Sequence, residues 1–163
     1  MTTELAPARR PVSTEHGVLT LTVAGQLCGV PVLSVRDILG PQTITPIPLA
    51  PPEVAGGLNL RGRIVTAVDL RRRLGLPARG AGVLPPMSVV VEVGGELYAL
   101  LADSVGDVLA LPEASLAPNP PTLDALWRDV CAGIHQDVPG SAGEGGVTRL
   151  LIMLDVERVL DIG

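Results

Sequence analysis

The chain has 163 residues, a formal net charge of −5 and no lysine, all 12 of its basic residues being arginine. The acidic balance argues against binding through neutralised phosphates, and the missing lysine excludes Schiff-base chemistry and a phosphate-binding P-loop. Apolar residues make up 47% of the chain with one Trp, one Tyr and no Phe, so Val, Leu, Ile and Ala must build the core.

The β-branched residues among these favour strands, and 19 Gly and 16 Pro predict many tight turns between short elements. A mean hydropathy of +0.43 is high, yet no apolar run approaches the ~20 residues of a membrane helix. Met1–Glu15 is polar, contains proline and lacks the apolar region of a signal peptide, so a disordered tail over 1–16 is expected. The surplus of apolar residues is expected partly at the surface, where apolar patches mark partner sites. The expectation is a cytoplasmic protein with partners and no membrane insertion. Cys28 and Cys131 have no metal-binding spacing and read as free thiols, and no metal or cofactor is predicted.

Val18–Val23 alternates apolar and polar residues as a half-buried strand does. Gly25-Gln26 turns the chain, and Leu27–Val30 returns. In PVLSVRDIL (31–39), Pro31 suits a first helical turn and Val35, Ile38 and Leu39 stand at i, i+3 and i+4, which predicts a short helix ended by Gly40-Pro41. Leu58–Leu60 and Ile64–Val68 read as two strands joined by a turn drawn from Asn59, Arg61 and Gly62, with Gly62 free to take positive φ. Asp69 stands where an N-cap would. Leu70 and Leu74 face inward, Arg71, Arg72 and Arg73 point to water, and Gly75 with Pro77 ends the helix. Neither packing nor helix propensity calls for Arg61 at its hairpin tip; it is a recognition residue or a merely solvated turn.

Ser88–Val93 reaches Gly94-Gly95, a favoured two-residue hairpin turn, and Leu97–Leu101 returns. Asp103 reads as a turn aspartate. Leu123, Leu126, Trp127 and Val130 have helical spacing, with Trp127 a packing residue. PGSAGEGG (139–146) reads as flexible.

The chain repeats itself. TVAGQLCGVPVLSVRDIL (22–39) lies over EVGGELYALLADSVGDVL (92–109) at a displacement of 93 − 23 = 70, with seven of eighteen pairs identical. VTAVDLRRRL (65–74) lies over LIMLDVERVL (151–160) at 155 − 69 = 86, sharing Asp69/Asp155, Arg72/Arg158 and Leu74/Leu160. Segments 112–121 and 139–146 absorb the difference as an insertion. Two matches in the same order predict two similar lobes of short antiparallel strands, each a small barrel.

GGLNLRGRIVTAVDL (56–70) closely resembles the central motif of the bacterial chemotaxis coupling-protein family, the CheW-like domains. LLADSVGDVLAL (100–111) resembles that family's second-lobe strand pair, and LIMLDVERVL its closing strand and helix. The resemblance runs from about Val18 to Leu160. It implies an all-β fold with few short helices: two SH3-like five-stranded β-barrel lobes around a shared core, lobe 1 about 17–80, lobe 2 about 86–155 and a terminal helix at 155–161. The same resemblance implies a non-enzymatic adaptor between a chemoreceptor's cytoplasmic tip and a histidine autokinase whose regulatory domain is itself CheW-like, recruited to membrane-associated receptor arrays. Residue by residue it implies partner contacts at Val35, Asp37 and Ile38, and at Asn59, Arg61 and Gly62; Val35 and Ile38 read equally as core. The sequence departs from the family at Thr66, where Pro is usual, at Leu19 and Leu21 in place of aromatics, and at Ala99 and Ala102.

Two rival functions are weighed. For an enzyme, His16 and His135 have no Ser or Cys partner at a recognisable spacing, and Asp103 and Asp107 form a carboxylate pair of which the repeat keeps only one. The alternative of a two-lobed barrel that binds a small ligand, or serves another pathway's kinase, stays open; missing aromatics remove the stacking platform single-stranded nucleic acid needs.

Overall fold

The computed structural model describes residues 15–80, 84–112, 115–136 and 150–162. In chain order the elements are β1 (Glu15–Val23), β2 (Gln26–Pro31), a 3-10 turn (Val32–Ser34), β3 (Val35–Leu39), β4 (Val54–Leu60), β5 (Arg63–Asp69), α1 (Leu70–Arg73), β6 (Met87–Val93), β7 (Glu96–Ala102), β8 (Ser104–Pro112), β9 (Leu116–Ala117), α2 (Ala125–Val130), β10 (Cys131–His135), β11 (Leu151–Leu154) and α3 (Val156–Val159). Beyond Glu15 and His16, the expected N-terminal tail lies outside the described residues, as does the Gly-rich stretch 139–146.

The strands form two sheets, ordered β8-β1-β2-β11-β10-β9 and β3-β6-β7-β5-β4. This is the expected two-lobed β fold, with helices of only four to six residues. The ranges 17–80 and 86–155 describe the two sequence copies and not the two sheets, since each sheet takes its inner hairpin from the other copy. β1-β2 is completed by β8, β10 and β11, and β6-β7 by β3, β4 and β5.

Hydrogen-bond register confirms the duplication pair by pair. In the parallel contacts Thr66 faces Tyr98 and Ala67 faces Ala99; displaced by 86 and 70 positions these become Ile152 facing Cys28 and Met153 facing Gly29, as observed. The edge strands match too, Val35 facing Val91 where Val105 faces Leu21, each with a bulge at the same point. Bulges in β4 and β10 place Gly56 at φ 151 and Gly133 at φ 150. A Cβ at Gly56 would stand 2.2 Å from the Thr45 carbonyl oxygen, and one at Gly133 2.9 Å from that of Ala117, so both positions need glycine.

Inner strands are buried on both faces, which is why Ser88–Val91 and Leu151–Leu154 read as almost unbroken apolar runs. Leu21, Val23, Cys28, Val89, Val91, Leu100, Ile152 and Leu154 point into one core shared by the sheets. Alternate residues line smaller clusters of their own: Val18, Leu27, Leu151 and Met153 in one sheet, Val65, Ala67, Ala99 and Leu101 in the other. Much of the high hydropathy is absorbed there, while Leu33, Leu49, Ile64 and Leu84 keep part of it on the surface.

The structure corrects two local readings. Residues 35–39 form a strand with alternating burial, not a helix, because pairing with β6 outweighs the helical spacing. Of the three arginines, only Arg72 is mainly in water; Arg73 is buried, and Arg71 keeps 11% of its side chain exposed. Arg73 donates to the carbonyls of Val159 and Arg158 at the C-terminal end of α3, each at 2.9 Å. The predicted cap holds: Asp69 accepts from the Arg71 amide, and Asp155 does the same for Arg158. Trp127 is buried against the shared core as expected.

Candidate functional site

The β4-β5 hairpin closes between Leu60 and Arg63, leaving a two-residue turn. Both turn residues have positive φ, 51° at Arg61 and 85° at Gly62, the conformation that matches strand twist and that Asn-Gly fills without strain. An arginine there costs about 1–2 kcal/mol of local backbone energy. The Asn59 carboxamide oxygen holds the turn by accepting from the Gly62 amide at 2.9 Å.

Arg61 keeps 81% of its side chain exposed, and its Nη2 meets Asp37 Oδ2 at 3.3 Å. Asp37 lies on β3 and Arg61 follows β4, the two edges of the five-stranded sheet, so this ion pair brings the edges together. The second Asp37 oxygen accepts from the Ile38 amide at 2.8 Å. The structure thus gathers Asp37, Asn59, Arg61 and Gly62 at one end of one sheet. Val35 is half-buried against the shared core and Ile38, paired with Val89, shares its face but is exposed, while the bulge after Val35 turns Asp37 to the opposite face.

Sequence reasoning missed the apolar surface beside that tip. Ile64 is 74% exposed, Leu49 is fully exposed with φ 61°, and Ile47 is partly exposed. Ile47 and Ile64 flank Gly57, and with Thr43, Pro46 and Asn59 they line a groove of about 500 Å³. The available signal was Ile64 itself, which the strand alternation puts opposite buried Val65.

Next to the other sheet, the 3-10 turn carries Leu33, 87% exposed, and β8 carries Val108, 55% exposed. Between Gly17, Val18, Pro31, Leu33, Leu116, Met153 and His135 lies a cavity of about 270 Å³. Ser115 stands 2.8 Å from His135 Nδ1, a contact not seen in the sequence. The Ser115 hydroxyl also lies 2.8 Å from the Pro112 carbonyl oxygen, to which it donates. Burial, with the charge of Cys131 nearby, pushes the Cys28 thiol up to about 12, and burial raises Cys131 as well. Neither is poised as a nucleophile. Among the described residues no group of three or more His, Cys, Asp or Glu could hold a metal ion, and no helix is long and apolar enough to cross a membrane.

Asp103 is more than a turn residue. Its Oδ1 and Oδ2 accept from Arg71 Nε at 3.0 Å and Nη2 at 2.6 Å, from Arg79 Nη2 at 2.7 Å and from the Ala24 amide at 2.7 Å. Burial raises this carboxyl's pKa, but the bonds from Arg71 and Ala24 and the charges of Arg71 and Arg79 outweigh it and hold the group below its usual range.

The model of the CheW-like domain matches residues 17–162. The chain is 32% identical over 117 residues to the chemotaxis protein CheW of Rhizobium meliloti, covering 72% of this chain and 75% of that one. It is 31% identical over 145 residues to CheW of Klebsiella aerogenes, covering 87% and 80%. A crystal structure of the scaffolding protein CheW from Thermoanaerobacter tengcongensis superposes with a TM-score of 0.73 at 25% identity, covering 91% of this chain and 94% of that one.

Proposed function

The chain belongs to the family of CheW-like domains, the chemotaxis coupling proteins, and from that premise we propose that it is a non-enzymatic adaptor joining chemoreceptor tips to a histidine autokinase. The kinase is held through its own domain of the same fold, and the adaptor is recruited from the cytoplasm to receptor arrays. The observation that carries this reading is the Arg61 tip. Glycine or asparagine would make the turn at lower energy, so the guanidinium is not there for the hairpin. It stands out in solvent at Asp37, with exposed Ile64 on the strand that follows it, so charged and apolar groups occur together at this end of the sheet. Asp37 aims it without burying it.

Arg61→Glu reverses this charge and sets it against Asp37. Co-purification with receptor and kinase is expected to fall at least tenfold, about 1.4 kcal/mol of binding. Arg61→Gly removes the charge and relieves the backbone, so Tm should hold or rise by about 2–4 °C while binding falls. Undiminished capture of both partners by the two variants would refute the assignment.

A further inference from the structure

The chain passes between the sheets at two places, Pro31–Val35 from β2 to β3 and Ala102–Ser104 from β7 to β8. The second carries a clamp. Asp103 joins the Ala24 amide, in the turn of the six-stranded sheet's hairpin, to Arg71 on the helix that ends β5 and to Arg79 beyond it. Its own amide donates to the Thr22 carbonyl at 2.9 Å. Asp69 supports the same cations, accepting from the Arg71 amide at 3.0 Å and lying 3.8 Å from Arg79 Nη1.

We propose that Asp103 is a positioning residue that fixes the orientation of one sheet against the other. The apolar core between the sheets is non-directional and resists separation more than sliding. A guanidinium fork on a carboxylate constrains angle as well as distance, and here it acts at the point where the chain changes sheets. The clamp holds the edges β3 and β8, which belong to different sheets, at a set spacing. A partner spanning both meets a surface that needs no ordering on binding; that last step rests on the adaptor reading, whereas the orientation does not.

The test is a distance measurement on the full chain without partners. Spin labels go on Arg63→Cys in β5 and Ala110→Cys in β8, both exposed, while Cys28 and Cys131 are buried. The parent is expected to give one narrow distance distribution. Asp103→Asn should broaden or shift it by several Å, and Asp103→Glu should restore it. Arg79→Gln, which leaves the Arg71 fork in place, should broaden it less and carries the test should Asp103→Asn fail to fold. A distribution in Asp103→Asn, or in Arg79→Gln where that variant decides, identical to the parent's would overturn the proposal and leave the clamp a stability element only. Partner capture by the same variants bears separately on the adaptor reading: narrow distances with no capture by the parent would sink that reading and leave the clamp standing.

Discussion

The two crossings between the sheets occupy equivalent places in the repeat and are built in opposite ways. At one, Asp103 is three-quarters or more buried under two arginines; at the other, Leu33 stands in its place with 87% of its surface in water. The cations differ as well, since the position equivalent to Arg71 is Glu157, which is exposed. Duplication therefore supplied two identical joints, of which one became an ionic lock and the other a protruding apolar residue above a cavity. At these joints sequence equivalence does not carry the side-chain role, although it does at the Asp69 and Asp155 caps.

The difference can be broken at its strong end first. Asp103→Ala leaves Arg71 and Arg79 facing each other without their shared anion, and a loss of about 2–3 kcal/mol in urea unfolding is expected. Acid should reach the same joint without mutation. The Asp103 carboxyl titrates below its unfolded value of 3.8, so its contribution is complete above that pH and disappears as pH falls through the lower, folded value. Arg71, whose pKa its bond to Asp103 raises further, stays charged throughout. Stability measured from pH 6 down to pH 2 should fall less steeply in Asp103→Asn than in the parent; parallel curves would remove Asp103 from the acid response. Leu33→Ser is the smallest change, within about 0.5 kcal/mol, because an exposed side chain gives up no core contact. A larger loss there would mean the two joints are less unlike than they look.

Much of the fold was legible because its signals are local. Period-two alternation, Gly94-Gly95 and the Asp69 and Asp155 caps each act over a few residues, and the repeat doubled every one of them. What escaped the sequence was decided at a distance. Residues 31–39 carry a helix-like spacing that pairing with β6 overrules. Arg71 looks solvated until Asp103, 32 positions on, comes beside it, and Arg73 until the end of α3, 86 positions on, does so. Of the candidate site, the Arg61 turn was readable from Arg-Gly between two strands, but its ion pair with Asp37 was not. The flanking Ile47 and Leu49 sit in a loop with no periodicity, so nothing local announced their exposure.

The exchange of hairpins has a consequence for how this chain holds together. A cut in the connector between α1 and β6 would leave each fragment lacking the two inner strands around which its remaining strands assemble. Neither fragment is then a lobe in its own right. The halves should complement each other when mixed and remain unfolded apart, as two interlocked hands hold only while both are present.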